Sequence, residues 1–203
     1  MNLLIISSSQ RAASQSAKVA EFMATMQSSF TRLEHLELCK YELPFWDGEQ
    51  ESRETNNNWG YISEKVTNAD ALVLITPEWG GMASPLLKNF LLMCNNQQTA
   101  HKPALLVAIS SGISGAYPIA ELRMNALKNN KLVAVPDHLI IRHVDHVLNT
   151  YSEIEINERD SKLQDRIKYS LHMLYQYSQA LFDIRKQHQN TPFPKQQEYV
   201  YGM

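Results

Sequence analysis

The chain has 203 residues, of which 44% are apolar and 20% charged, with a formal net charge of −2. That size suits one substantial core, and that charge makes no electrostatic case for nucleic acid or for an anionic membrane surface. Cys39 and Cys94 are the only cysteines, too few and too far apart for a disulfide framework or a zinc pattern. No apolar run approaches the roughly 20 residues of a membrane helix, and Met1-Asn2 carries no basic leader. The expectation is a soluble, cytoplasmic protein with no nucleic-acid or membrane partner.

Leu3-Leu4-Ile5-Ile6 reads as a strand buried on both faces. It stops at Ser7-Ser8-Ser9-Gln10-Arg11-Ala12-Ala13-Ser14-Gln15-Ser16, after which a helical pattern runs to about Ser28. Two readings of this loop are open. Serines after a strand are ordinary helix caps and turn formers. The same hydroxyls, with the free N–H groups of the first helical turn and the Arg11 fork, also make a cradle for a phosphate. The loop lacks the glycines and Lys-Ser/Thr pair of a Walker A sequence, and it is not the dinucleotide glycine fingerprint.

Leu33–Leu38 alternates as a second strand, at a sheet edge. Tyr41–Gly48 is an aromatic-rich loop, and Asn56–Asn58 caps a helix through Trp59, Ile62 and Val66 to Asn68. Ala71–Thr76 is the clearest buried strand. It breaks at Pro77 into Glu78-Trp79-Gly80-Gly81-Met82-Ala83, with Ser84-Pro85 as cap and first residue of the next helix.

Ala104–Ile109 is the fourth strand, leading through Ser110-Ser111-Gly112-Ile113-Ser114-Gly115-Ala116 into a helix containing Leu122. Lys131–Pro136 and His138–Ile141 together offer a fifth strand of unassigned register. A polar stretch, Asn149–Arg159, precedes a long helix to about His188. On it, Leu163, Ile167, Leu171, Leu174, Leu181 and Ile184 recur at helical spacing. The tail, Gln189–Met203, reads as extended.

Strands alternating with helices predict an α/β fold, a parallel sheet covered on both faces. The expected organisation is a single flavodoxin-like domain over 1–203, with core sheet and crossover helices in 1–148 and C-terminal helix and tail in 149–203. The strand order 2-1-3-4-5 brings the loops Ser8–Ser16, Pro77–Ala83 and Ser110–Ala116 to one edge, at the switch point. The first suits phosphate, and the glycines of the other two allow a flat ligand to approach the backbone. That layout suits FMN.

These loops resemble the NADPH-dependent FMN reductase family of flavodoxin-like proteins, which includes quinone, azo-dye and chromate reductases. The family's first loop, Gly-Ser-x-Arg-x-x-Ser-x-Asn, is matched at Ser9, Arg11 and Ser14. Its Pro-Glu-Tyr-Asn followed by Leu-Lys-Asn is echoed by Pro77-Glu78-Trp79-Gly80 and Leu87-Lys88-Asn89. Its Ser-x-Gly-x-x-Gly-Gly leading to Leu-Arg corresponds to Ser111-Gly112-Ile113-Ser114-Gly115-Ala116 and Leu122-Arg123. Ser8 stands where the family has glycine, Ser16 where it has a phosphate-binding asparagine, and Trp79-Gly80 where it has Tyr-Asn.

The resemblance implies an FMN-dependent NAD(P)H oxidoreductase that passes electrons to a flavin, quinone or similar small acceptor by a ping-pong mechanism. NADPH or NADH is the donor, and the protein assembles as a homodimer or homotetramer. Ser9, Arg11, Ser14, Gln15 and Ser16 would take the phosphate. Pro77, Glu78, Trp79, Gly80 and Gly81 would meet the ring, and Ser111, Gly112 and Gly115 would line its other side. No catalytic acid or base and no metal is expected, because the cofactor carries the chemistry. Two other readings stand beside this one: a flavodoxin-type electron carrier, and a flavodoxin-like interaction module that has lost flavin.

Overall fold

The computed structural model describes residues 1–26, 28–149 and 158–196. Its strands are β1 (Asn2–Ser7), β2 (Arg32–Glu37), β3 (Ala71–Pro77), β4 (Pro103–Ser110) and β5 (Val133–Arg142). The helices are α1 (Gln15–Thr25), α2 (Gln50–Glu54), α3 (Asn57–Asn68), α4 (Pro85–Met93), α5 (Asn96–Thr99), α6 (Ala116–Asn125) and α7 (Glu158–Asn190). The sheet is parallel throughout, in the order β2-β1-β3-β4-β5, as expected from the sequence. The expected polar stretch after Asn149 and the end of the tail fall largely outside the described residues.

Alternation along the inner strands sends successive side chains to opposite faces. Leu4, Ile6, Leu72, Leu74 and Leu106 pack under α3, α4 and α6, together with Trp59, Ile62, Leu87, Phe90 and Leu122. Leu3, Ile5, Val73, Ile75, Leu105 and Val107 pack on the other side, against Val19, Ala20 and Met23 of α1 and Ile167, Leu171 and Leu174 of α7. The predicted caps are in place. Asn56 Oδ1 accepts from Trp59 N at 2.8 Å, and Ser84 Oγ accepts from Leu87 N at 3.1 Å.

The fifth strand is a single element whose register the sequence did not show. Ala104 pairs with Ala134 and Leu106 with His138, so three residues of β5 oppose one of β4. Pro136 sits in this bulge, at the sheet edge where a missing N–H is tolerated. Arg123 on α6 donates to the carbonyls of Val135, Pro136 and Asp137 at 2.6, 3.0 and 3.3 Å.

Two features lie outside the sequence reading. The short helices α2 and α5 were not anticipated, because neither carries an apolar stripe; α2 buries no residue, and α5 starts with a capping box between Asn95 and Gln98. On α7 the apolar stripe is buried only through Leu174, and Ile184 is exposed, because the helix runs past the edge of the sheet's core.

Candidate functional site

The loops after β1, β3 and β4 all leave the carboxyl edge of the sheet, and hydrogen bonds tie the first two together. Ser8 N and Oγ both donate to Ile75 O of β3, at 3.1 and 2.7 Å. Ser84, at the start of α4, donates its hydroxyl to Ser8 Oγ at 3.0 Å and its N–H to Thr76 Oγ1 at 2.8 Å. Ser8, which replaces a glycine of the family pattern, is thus a buried strut between loops. Ser84 was read from sequence as a cap alone; its second role is a long-range contact that local sequence does not signal.

In the first loop, Ser9 Oγ accepts from Arg11 N at 3.2 Å, and Ser14 caps α1 by accepting from Ala17 N at 3.1 Å. Both serines therefore satisfy the capping and turn-forming reading. Gln15 and Ser16 behave differently. Gln15 Oε1 and Ser16 Oγ are shielded from solvent and have no hydrogen-bond partner. A buried hydroxyl or amide oxygen without a partner costs roughly 1–3 kcal/mol, and both lie in the first turn of a helix, where backbone N–H groups also lack intrahelical acceptors. The Ser16 hydroxyl and those N–H groups are donors of the kind a phosphate completes; Gln15 Oε1 is an acceptor, which a phosphate does not satisfy. The Arg11 guanidinium lies 5.2 Å from the Trp79 ring centroid, so it links the first loop to the second.

The second loop is a tight reversal. Trp79 and Met82 exchange both backbone hydrogen bonds, at 3.2 and 3.1 Å, with Gly80 at φ +58° and Gly81 at φ +79° between them. Two successive positive φ values are the signature of a type I′ turn and explain the glycine pair. The sequence reading offered the N–H groups of Glu78 to Gly81 to the ring. The structure narrows this: Glu78 N donates to Ile109 O at 3.0 Å and Trp79 N to Met82 O, so Gly80 and Gly81 carry the N–H groups still on offer. Trp79 is half-buried at the end of this turn, and Pro77 is the buried last residue of β3.

The third loop reaches the second through Gly115. Its φ is +113°, and a Cβ there would lie 2.5 Å from Ile140 Cγ2 and 3.9 Å from Glu78 Oε2. Glu78 Oε2 is itself buried without a partner. Gly115 thus lets the third loop lie against β5 while Glu78 points toward it. Gly112 N donates to Ser110 Oγ at 3.1 Å, which fixes the start of the loop, whereas Ser111 and Gly112 are exposed.

Two residues were missed from sequence. Tyr117, in the first turn of α6, is 71% exposed, and its ring lies 3.8 Å from where a Gly81 Cβ would be. Its only signal was an aromatic just after the third loop. Glu121 accepts from Ala83 N at 2.7 Å and from Lys88 Nζ at 3.0 Å, pinning the second loop to α6. Burial alone would raise the Glu121 carboxyl, but these two donors outweigh it and hold it below its ordinary value. Lys88 and Asn89 thus tie neighbouring elements together. Asn89 holds the aromatic loop by accepting from Trp46 N at 2.8 Å and donating to Pro44 O at 2.9 Å.

Among the described residues no group of three or more His, Cys, Asp or Glu side chains could hold a metal, and no helix is long and apolar enough to cross a membrane. The Cys94 thiol is buried, which pushes its pKa far up and leaves it inert as a nucleophile.

Residues 1–146 match the profile of a family described as NADPH-dependent FMN reductase. An FMN-dependent NADPH-azoreductase of Staphylococcus aureus is 30% identical over 114 residues, covering 56% of this chain and 60% of that protein. The match therefore spans less than two thirds of the curated relative. Among solved structures, an oxidoreductase from Corynebacterium diphtheriae superposes with a TM-score of 0.64 at 16% identity, covering 87% of this chain and 95% of that one. A flavoenzyme NAD(P)H:(acceptor) oxidoreductase from Paracoccus denitrificans gives 0.60 at 17% identity, over 88% and 97%. At these identities the structural likeness shows the flavodoxin-like fold alone.

Proposed function

Because the chain belongs to the NADPH-dependent FMN reductase family, we propose that it is an FMN-dependent NAD(P)H oxidoreductase delivering electrons to a flavin, quinone or similar small acceptor. The observation that carries this reading is the buried, unpartnered hydroxyl of Ser16 at the start of α1, on the same sheet edge as the Gly80-Gly81 turn.

The residues present fit FMN. The Ser16 hydroxyl and the first-turn N–H groups of α1, those of Gln15 and Ser16 among them, would hold the phosphate, with Ser9 and Ser14 shaping the loop and Arg11 supplying the charge. Ser16 supplies a hydroxyl donor where the family pattern has an asparagine amide. Gly80 and Gly81 would offer N–H groups to the ring's polar edge, and Trp79 an aromatic face beside it. Ser111, Gly112 and Gly115 would border the opposite side.

Bound there, the flavin supplies hydride acceptance and electron release. The protein's part is to bind and orient it, keep one face open, and place no competing acid or base against it. Donor and acceptor would use that face in turn, which is the origin of ping-pong kinetics. Exposed Met82, Ile113 and Tyr117 surround the second and third loops and favour a flat, apolar acceptor. Leu92 on α4 and Met124 on α6, both exposed, support assembly as a homodimer or homotetramer through this side.

The test is the visible spectrum of the purified protein before and after FMN is added and the excess removed. Bound flavin bleached by NADPH or NADH is the expected result. Bound flavin that neither nicotinamide reduces would replace the reductase with a carrier, and a protein that takes up no flavin would overturn the reading.

A further inference from the structure

We propose a second ligand site at the opposite, amino edge of the sheet, for a small oligophosphate anion. A cavity of about 1060 Å³ opens there between α2, the α3–β3 turn, α5, the segments leading into β4 and β5, and the last turns of α7. Its described lining carries the side chains of Arg53, Lys102, Lys131, Arg185 and Lys186 against one carboxylate, that of Asp70. This concentration of positive charge stands out in a chain whose net charge is −2, and a concave site lined by one sign of charge focuses potential on its ligand.

The arrangement gathers the carbonyl ends of three helices at one cavity. Basic residues near the carbonyl end of a helix are expected, and Arg185, Lys186 and His188 lie in the last turns of α7. Arg53 and Lys102 come from other segments and meet the ends of α4 and α3. A helix end offsets only about half of a unit charge. Arg53 Nη1 donates to Met93 O at 3.0 Å, and Lys102 Nζ donates to Val66 O at 2.7 Å and Thr67 O at 2.8 Å. Carbonyls orient a cation without cancelling it. Asp70 is already engaged by Arg185 at 3.3 Å.

The fold bears the cost of this clustering. Burial and then the Arg185 charge bring Lys102 down to about 8. Burial, and then His188, Lys131 and Arg185, lower the His101 imidazole, which lies edge-on to His188 with centroids 5.6 Å apart. An anion in the cavity opposes the part of each effect that comes from the neighbouring positive charges. Two or more phosphate groups match the spread of cations over several elements, and the volume accommodates them. Phe182 and Phe193 also line the wall, so a nucleoside triphosphate would gain a ring contact that a bare oligophosphate lacks. Much of that wall lies on α7, beyond the family-matched residues 1–146. The site is therefore independent of the flavin reading.

The experiment is calorimetric titration of the full chain with sodium tripolyphosphate, in saturating FMN so that the first loop is not the acceptor. One anion per chain is expected, with affinity falling as salt rises. Lys186→Glu, an exposed change on the rim, should weaken binding at least 10-fold. Lys162→Glu, on α7 but outside the cavity and paired with Glu158, should leave it within about 2-fold. Binding should also raise the imidazole pKa of His101 in histidine NMR spectra. Tighter binding of ATP than of tripolyphosphate would assign a nucleotide; equal binding would assign the oligophosphate itself. No binding, an equal loss in both variants, or an unmoved His101 imidazole would overturn the proposal.

Discussion

The two ends of the sheet approach anion recognition from opposite electrostatic starting points. At the carboxyl edge the crossover helices begin, so their N–H groups and positive dipole ends already face the cleft. There the proposed flavin site would need only hydroxyls, glycines and a single guanidinium: Ser9, Ser14, Ser16, Gly80 and Gly81 with Arg11. At the amino edge helices end, and their carbonyls present the wrong sign. Side chains must reverse it, and Arg53, Lys102, Lys131 and Lys186 are arranged to do so. In a parallel α/β sheet, backbone geometry supplies one anion site, and charged side chains have to supply any other.

The strongest way to break this comparison is to disturb backbone geometry at the carboxyl edge. Gly115→Ala places a Cβ 2.5 Å from Ile140 Cγ2 at φ +113°. It should cost about 3 kcal/mol of stability through strain and overpacking, read as a lowered urea midpoint, and weaken FMN binding as the third loop shifts. A site built from mobile side chains would tolerate the change.

Ser16→Ala sharpens the comparison, because it separates binding from folding. The buried Ser16 hydroxyl has no protein partner, so its removal should leave the flavin-free protein equally stable or slightly more stable. FMN affinity should fall about 10-fold, the loss of one hydrogen bond to a charged group. Fluorescence quenching of free FMN measures this. A drop in stability without a change in affinity would mean that the hydroxyl serves packing.

The smallest effect concerns pH. Burial holds the His35 imidazole, hydrogen-bonded to Ser7 Oγ at 2.8 Å, below its ordinary 6.5. His101 is lowered in the same direction. A folded pKa depressed below the unfolded one means that the neutral form favours the native state. The stabilisation is complete above pH 6.5 and is lost as pH falls through the folded values. The urea midpoint should decline over that interval. His35→Gln should flatten part of the slope, and tripolyphosphate should reduce the His101 part by raising its pKa.

How much was legible in the sequence differs between the two ends for a physical reason. The strands, the Asn56 and Ser84 caps and the three loops of the carboxyl edge follow from local patterns: short apolar runs, turn glycines and cap residues. The resemblance at Ser9, Arg11, Pro77, Glu78 and Gly115 then identified the family that residues 1–146 match. What escaped was long-range. Ser8, Ser84 and Thr76 form one network, Glu121 reaches back to Ala83 N, and Gly115 is required by Ile140, 25 positions away in a strand whose register was unassigned. The amino-edge cavity left no motif at all, because its cations are scattered from Arg53 to Lys186 and converge only through the fold.

The bulge in β5 has a consequence for how this chain behaves among its copies. An outer strand exposes a row of amide donors and carbonyl acceptors that can template another chain. Along this one, Pro136 offers no donor, the bulge throws the spacing out of step, and Arg123 occupies the carbonyls of Val135, Pro136 and Asp137. The arginine of the Leu122-Arg123 pair therefore guards the sheet against open-ended growth. That leaves the helical faces for contacts between copies that can close on themselves.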